Sequence, residues 1–395
     1  MDFRFSAEES ALRDEVREFV LAEIPADIRW QDRTTYGDDL WPLSLEARRK
    51  VSQKGWTTMH WPVEHGGQGC SPVLHMLFRE EMAYWGVPEA ISYDDGPNLI
   101  GPAIIEYGSE RLKSSHLPPI ARAETFWCQG FTEPGGGTDL ASVRTTAVRD
   151  GDRYIVSGQK DYVGGAARAD WIHILARTDP EAPSHRDISY FVIDMRSSNI
   201  SLRALDEVDG RSGMLNEVFF DDLEAPAEWM VGEPGMGWEI AMSVLNRQRV
   251  GIEMVGRARS LLADLAAYTR EPAGDGKALF DTPYVRGKLG EMATAIEACR
   301  VAAYRVAWLQ KEGRDYSHEA SISRLLSSEM WRRFTGDALE VLGLYGSLEP
   351  GTKAAPLMGR LEQAYISSVA STLHLGTSEI QRNIIAQRGL GMPRE

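Results

Sequence analysis

The stretch Trp127-Cys128-Gln129-Gly130-Phe131-Thr132-Glu133-Pro134-Gly135-Gly136-Gly137-Thr138-Asp139 is where the periodicity of this chain changes. It sets aromatic and hydrogen-bonding side chains just ahead of three consecutive glycines, closed by Thr138 and Asp139. Glycine lets a backbone approach a ligand closely and reach conformations closed to other residues. The stretch therefore reads as a loop built for close contact, with a plain turn as the alternative.

On its N-terminal side the spacing of apolar residues is helical. Ser6 and Glu9 have the spacing of a capping box, and Leu12, Val16, Phe19 and Val20 follow at helical intervals up to Pro25. Further helical segments are predicted over Leu43–Lys54, Leu77–Trp85, Ile100–Tyr107 and Glu110–Ala121, so residues 1–125 read as an all-α domain. On the C-terminal side Val143–Arg149 alternates, Asp150-Gly151-Asp152 is a hairpin turn signal, and Arg153–Val156 alternates again. Trp171–Ala176, Ser189–Ile193, Ile200–Leu205 and Glu217–Phe220 extend this into a β-barrel or sandwich over residues 126–233. Long periodic segments, Trp238–Leu265, Pro283–Lys311, Glu319–Leu342 and Ile366–His374, then predict a four-helix bundle over residues 234–395. A break at Leu375–Ser378 precedes a last helix, Glu379–Gln387. The fold class is α+β: helical domain, β domain, helical bundle.

Composition excludes some functions. A net charge of −15 argues against a nucleic-acid surface, which needs a basic face, while leaving room for a local basic pocket. Cys70, Cys128 and Cys299 are far apart and odd in number, so they show neither a metal-ligand spacing nor a disulfide framework, as in a reducing compartment. The start, Met1-Asp2-Phe3-Arg4-Phe5, lacks the pattern of a signal peptide, and no apolar run approaches the ~20 residues of a membrane span. A cytoplasmic protein without a metal is expected.

This order of segments, together with seven motifs, resembles the acyl-CoA dehydrogenase family along nearly the whole chain. The motifs are Trp61–Gly69, Cys128–Asp139, Ser157–Lys160, Ala169–Trp171, Asn216–Phe220, Gly237-Trp238 and Gly376–Arg382. The resemblance implies FAD between barrel and bundle, an acyl thioester of CoA along the flavin, and electrons passed to an acceptor such as electron-transfer flavoprotein. It also implies a homodimer or homotetramer. Gln129, Phe131 and Thr132 would contact the isoalloxazine, and Gly137 and Thr138 would approach the flavin tail and the CoA. Tyr162 would pack the flavin. Thr377 and Glu379, opening a helix with Ser378, would meet a phosphate or ribose, although Thr377 is also a plain N-cap. Arg249 would contact CoA; on its own it reads as a salt-bridged helix arginine.

The same resemblance exposes departures. The family's α-proton is taken by a glutamate at one of two positions, which here hold Leu375 and Gln248. Leucine has no lone pair and an amide no useful basicity, so Leu375 is left to line the substrate and Gln248 occupies a catalytic position without being a base. Gly164 stands where a hydroxyl usually meets flavin N5. The arginine-phenylalanine-glycine run that clamps a neighbour's FAD is absent around Tyr268–Pro272, and Glu340–Gly346 puts a glutamate where that cofactor's diphosphate would lie.

Three readings follow. In the first, the base is relocated: His374 lies next to the usual position and has a suitable pKa near ~6.5. A structural histidine is the other reading of it. Asp94 and Asp95 fall where the family lines its acyl pocket; they read as a turn, as binders of a polar acyl group, or as the base. Glu253 projects to another face of its helix. In the second reading the chain is a base-less subunit of a hetero-oligomer resembling the α2β2 steroid-degrading dehydrogenases. In the third it carries out a desulfinase-like elimination on an acyl-CoA, although no arginine near Val87-Pro88 would hold a sulfinate.

Overall fold

The structure, a computed structural model, describes residues 5–30, 39–92, 94–208, 212–272 and 276–393. The expectations drawn on Met1–Arg4, on Tyr93 and on the glycine-rich loop after Pro272 fall wholly or partly outside them. In chain order the helices are α1 (Ala7–Glu23), α2 (Trp41–Gln53), α3 (Pro72–Tyr84), α4 (Glu89–Ser92), α5 (Gly101–Tyr107) and α6 (Glu110–Ala121). After the strands come α7 (Gly237–Gln248), α8 (Ile252–Arg270), α9 (Pro283–Lys311), α10 (Ser317–Leu342), α11 (Arg360–Ser371) and α12 (Ser378–Ile384). The strands are β1 (Trp127–Gly130), β2 (Thr146–Asp150), β3 (Arg153–Gly164), β4 (Trp171–Arg177), β5 (Ile188–Asp194), β6 (Ile200–Asp206), β7 (Ser212–Pro226) and β8 (Met230–Val231). The chain divides into two compact units: Met1–Trp30, Ser71–Val87 and Arg249–Glu395 form one, Gln31–Cys70 and Pro88–Gln248 the other.

The helical unit has one apolar core. Val255, Ala258, Leu261 and Leu265 of α8 face Leu289, Met292 and Ile296 of α9 and Phe334, Ala338 and Val341 of α10. The fully buried Glu80 of α3 is paired, as burial of a charge requires: it accepts from Arg259, Arg300 and Tyr304. The single helix expected over Trp238–Leu265 is two. Gly251 takes a left-handed φ of +72°, with Ser327 3.0 Å from where a Cβ would sit, so α7 stops at Gln248 and α8 restarts at Ile252. Only glycine adopts this conformation without strain.

The other unit is an eight-stranded sheet with helices. Its strand order is β6-β7-β3-β2-β4-β5-β8, with β1 added parallel to β4. Ile172, Ile174 and Ala176 of β4 share one core with Phe191, Ile193, Val218 and Leu223. Leu175, Tyr190 and Val192 point the other way, into a core with Leu99, Ile104, Ile240 and Val244. Strands covered on both faces read as near-continuous apolar runs, which is why β4 and β5 are legible in the sequence. β1 is less so, because it is short and polar at Gln129.

Candidate functional site

The candidate residues fall in two sets, one per unit. In the sheet unit the glycine loop is anchored from beneath by a buried ion pair. Glu133 accepts from Lys160 Nζ at 2.6 Å and from the backbone N–H of Arg144 and Thr145, and Lys160 also donates to the Leu175 carbonyl at 2.7 Å. Lys160 is fully buried; desolvation pulls it down to about 8 against the attraction of Glu133. Burial pushes Glu133 up, but Lys160 and the N–H donors overcome it and hold the carboxyl below its usual range. Above this anchor Pro134 and Gly135 (φ +84°) are the corners of a tight turn, closed by Gly136 N–H to the Glu133 carbonyl at 2.9 Å. Proline then glycine suits a type II turn. Gly137 and Thr138 follow, exposed. A Cβ on Gly137 would make only ordinary contact with Thr132, at 3.5 Å.

Behind the loop, Gln129 of β1 lies beside His173 of β4. Phe131 is buried and meets the rings of His173 and Tyr190 edge-on, at 5.6 and 5.8 Å. His173 Nδ1 and the Tyr190 hydroxyl are 2.7 Å apart, and burial holds His173 neutral, with its pKa lowered to about 3. The Gln129 amide nitrogen is buried without a hydrogen-bond partner. The Thr132 carbonyl accepts from Asp161 N–H at 2.8 Å, tying the loop to an irregularity in the β3–β7 pairing between Lys160 and Val163. There Tyr162 adopts φ +55° and is 65% exposed, a strained and solvent-facing aromatic. Gly164, two residues on, has open space beside it. Structure thus brings Gln129, Phe131 and Thr132 together and links them to the bulge carrying Tyr162.

Asp94 and Asp95 prove unlike. Asp94 is buried against Arg48, 2.5 Å away, and accepts from Gly96 N–H at 2.9 Å. Arg48 also holds the Thr125 carbonyl and lies over the Phe126 ring. Asp94 is therefore committed to the protein. Asp95 stands just before a π-helical turn, Gly96–Ile100, without a capping hydrogen bond from its side chain, and desolvation, with Asp94 and Glu89 close by, raises its pKa to about 8. Gln248 ends α7 with its amide oxygen buried and without a hydrogen-bond partner.

In the helical unit Arg249 is 6% exposed, and burial and the charge of Arg388 lower its pKa to about 10. His374 is exposed, and its Nδ1 lies 3.0 Å from Arg324 Nη2, which also donates to the carbonyls of Ser371 and His374. Arginine only donates, so Nδ1 accepts and the neutral ring carries its proton on Nε2. Leu375 sits at φ +60°, Gly376 at +87°, and the buried Gln381 amide holds both carbonyls. Thr377 caps α12, accepting from Ile380 N–H, and Ser378 is buried with its hydroxyl unbonded. Glu379 is exposed, held below its usual pKa by backbone N–H and the Thr377 side chain. It lines an open groove of about 640 Å³ with Arg332, Arg333, Glu340 and Ser378. Glu253 is ion-paired to Arg79. Sequence reasoning missed Arg48, His173 and Arg324. Only His173, inside an otherwise apolar strand, carried a signal; Arg48 and Arg324 stand among polar neighbours in α2 and α10.

The donor set fits a flat ring with acceptor atoms along its edge. The orphaned Gln129 N–H, the edge of Phe131 and the exposed Tyr162 ring belong to that chemistry, while Gly137 gives backbone access. Among the described residues no helix is long and apolar enough to cross a membrane.

Descriptions of the N-terminal, middle and C-terminal domains of acyl-CoA dehydrogenase match residues 6–124, 128–223 and 235–390. Acyl-CoA dehydrogenase IpdE1 of Mycobacterium tuberculosis is 35% identical over 363 residues, covering 89% of this chain and 90% of that protein. The solved Tcur3481-Tcur3483 steroid ACAD has a TM-score of 0.91 at 30% identity, covering all of both chains. The ChsE4-ChsE5 complex of Mycobacterium tuberculosis has a TM-score of 0.89 at 28% identity, again over the full length of both.

Proposed function

Since this chain belongs to the acyl-CoA dehydrogenase family of flavin-dependent oxidoreductases acting on CH–CH bonds, we propose that it uses FAD in the α,β-dehydrogenation of an acyl-CoA or related thioester. Bound FAD would supply the two-electron acceptor for the hydride leaving the β-carbon, with electrons passing on to a protein such as electron-transfer flavoprotein. The observation carrying this reading is the unpartnered Gln129 amide beside Phe131 and the anchored glycine loop. Gln129, Phe131, Thr132, Tyr162, Gly164, Gly137 and Thr138 are assigned to the cofactor in the sheet unit, Thr377 and Glu379 in the helical unit. Arg249 and Thr138 are assigned to CoA, and Asp95 and Leu375 to the acyl group.

The α-proton needs a base, and the chain's own candidates are constrained. Asp94 is bound to Arg48, and His374 can take a proton only at Nδ1, the atom Arg324 holds. Gln248 can orient a group through its unbonded oxygen but cannot keep a proton. These commitments favour a second reading, in which the chain is one subunit of a hetero-oligomer and the base belongs to another subunit.

The test is the visible spectrum of the purified chain, before and after a panel of acyl-CoAs. Flavin absorbance that bleaches with an acyl-CoA supports the first reading, and loss of bleaching in His374→Ala with absorbance intact would assign the base. A full complement of flavin that no acyl-CoA reduces, by the chain alone or in company, rules dehydrogenation out.

A further inference from the structure

A cleft of about 370 Å³ opens in the sheet unit at the end of β4, lined by α6, Trp171 and Trp229. Helix α6 presents Arg111, Ser115, His116 and Pro119 to it, residues that share a face at helical spacing. Trp171 and Trp229 meet at 79° with centroids 5.4 Å apart, giving two walls at a corner. His116 meets Trp171 at 83° and 4.5 Å, and Trp127 at 78° and 5.3 Å, so its ring is gripped between indoles. It is only 5% exposed, yet it makes no hydrogen bond among the described residues. Burial holds it neutral, at about 4, so the imidazole offers one N–H donor and one bare nitrogen acceptor.

The ring nitrogens of His116 are not among the side-chain atoms buried without a partner, so the polar edge that makes no protein hydrogen bond reaches the open space of the cleft. At the mouth, Arg111 and Glu228 pair at 2.7 Å but are 70% and 38% exposed, an arrangement of little stability that leaves the rim electrically neutral. Aromatic walls, a neutral donor–acceptor edge and a neutral rim together select a ligand.

We propose that this cleft is a ligand site for a neutral, flat nitrogen heteroaromatic group, stacked against Trp171 or Trp229 and hydrogen-bonded at its edge to His116. The cleft volume lies within the range of small-molecule pockets. The site rests on α6 and the Trp171–Trp229 corner and stands whether or not the dehydrogenase reading does.

The test uses the full chain with its cofactor complement, labelled with 5-fluorotryptophan and titrated with nicotinamide. Trp171→Phe and Trp229→Phe assign the two fluorine resonances. Both resonances are expected to shift saturably, whereas toluene, which has the ring without the polar edge, shifts them far less. His116→Phe should weaken nicotinamide by roughly two- to tenfold, the loss of one hydrogen bond. Trp229→Ala at the partly exposed wall, which disturbs folding less, should abolish the shift of the Trp171 resonance. Non-saturable shifts through several millimolar, equal binding of toluene, or unchanged affinity in both variants would overturn the site.

Discussion

At the scale of single residues, two histidines tie stability to pH. His173 and His116 are buried and neutral, with pKa values lowered to about 3 and about 4, both mainly by desolvation. An unfolded histidine titrates near ~6.5. Their contribution is therefore complete above that value and is lost as pH falls toward the folded pKa, because only the unfolded chain takes up the protons. Each removes about 1.4 kcal/mol per pH unit in that window. Urea unfolding at pH 7 and pH 5 should show a clear fall in midpoint, and His116→Phe should remove about half of the slope. A midpoint that does not move between these pH values would show that the rings are hydrated. Neither histidine's state was legible from the sequence: His116 sits in an amphipathic helix and His173 in an apolar strand, and only the packing of Trp127, Trp171, Phe131 and Tyr190 around them sets it.

At the scale of elements, the glycine loop separates conformational need from access. Gly135 carries the turn at φ +84°, and alanine there would be strained by about 1 kcal/mol or more. Gly137 has an ordinary φ, and its Cβ would touch only Thr132 at 3.5 Å. Gly137→Ala should thus leave the melting temperature nearly unchanged, within roughly 0.5 kcal/mol, while lowering the flavin recovered with the purified chain. Flavin recovery equal to the parent would remove Gly137 from the proposed cofactor set. The loop was visible as a motif, but its working parts were not. Proline and glycine in sequence suggested a turn, whereas the Glu133–Lys160 anchor joins residues 27 positions apart. The split of the expected Trp238–Leu265 helix has the same origin, since one glycine in a long periodic run acts as a break only where Ser327 packs against it.

At the scale of the whole molecule, the question is whether one kind of chain is enough. If the base and part of the cofactor site belong to a related subunit, the chain purified alone should carry flavin well below one per chain. Co-expression with that subunit should restore both occupancy and turnover. Full occupancy with acyl-CoA turnover by the lone chain would exclude the requirement. The exposed Leu344, Tyr345, Tyr365, Val369 and Leu373 are apolar surface available to such an assembly. The sequence by itself determined the order helix, sheet, helix, and the family, because periodicity and motifs are local properties of the chain. It also determined that Leu375 and Gln248 stand where a carboxylate is customary. Only the tertiary structure decided which polar residues are already spent. Asp94 is taken by Arg48 and His374 by Arg324, while Gln129 and Gln248 keep atoms to offer. Commitment of that kind depends on charges and hydrogen bonds between residues far apart in the chain, so no local pattern records it.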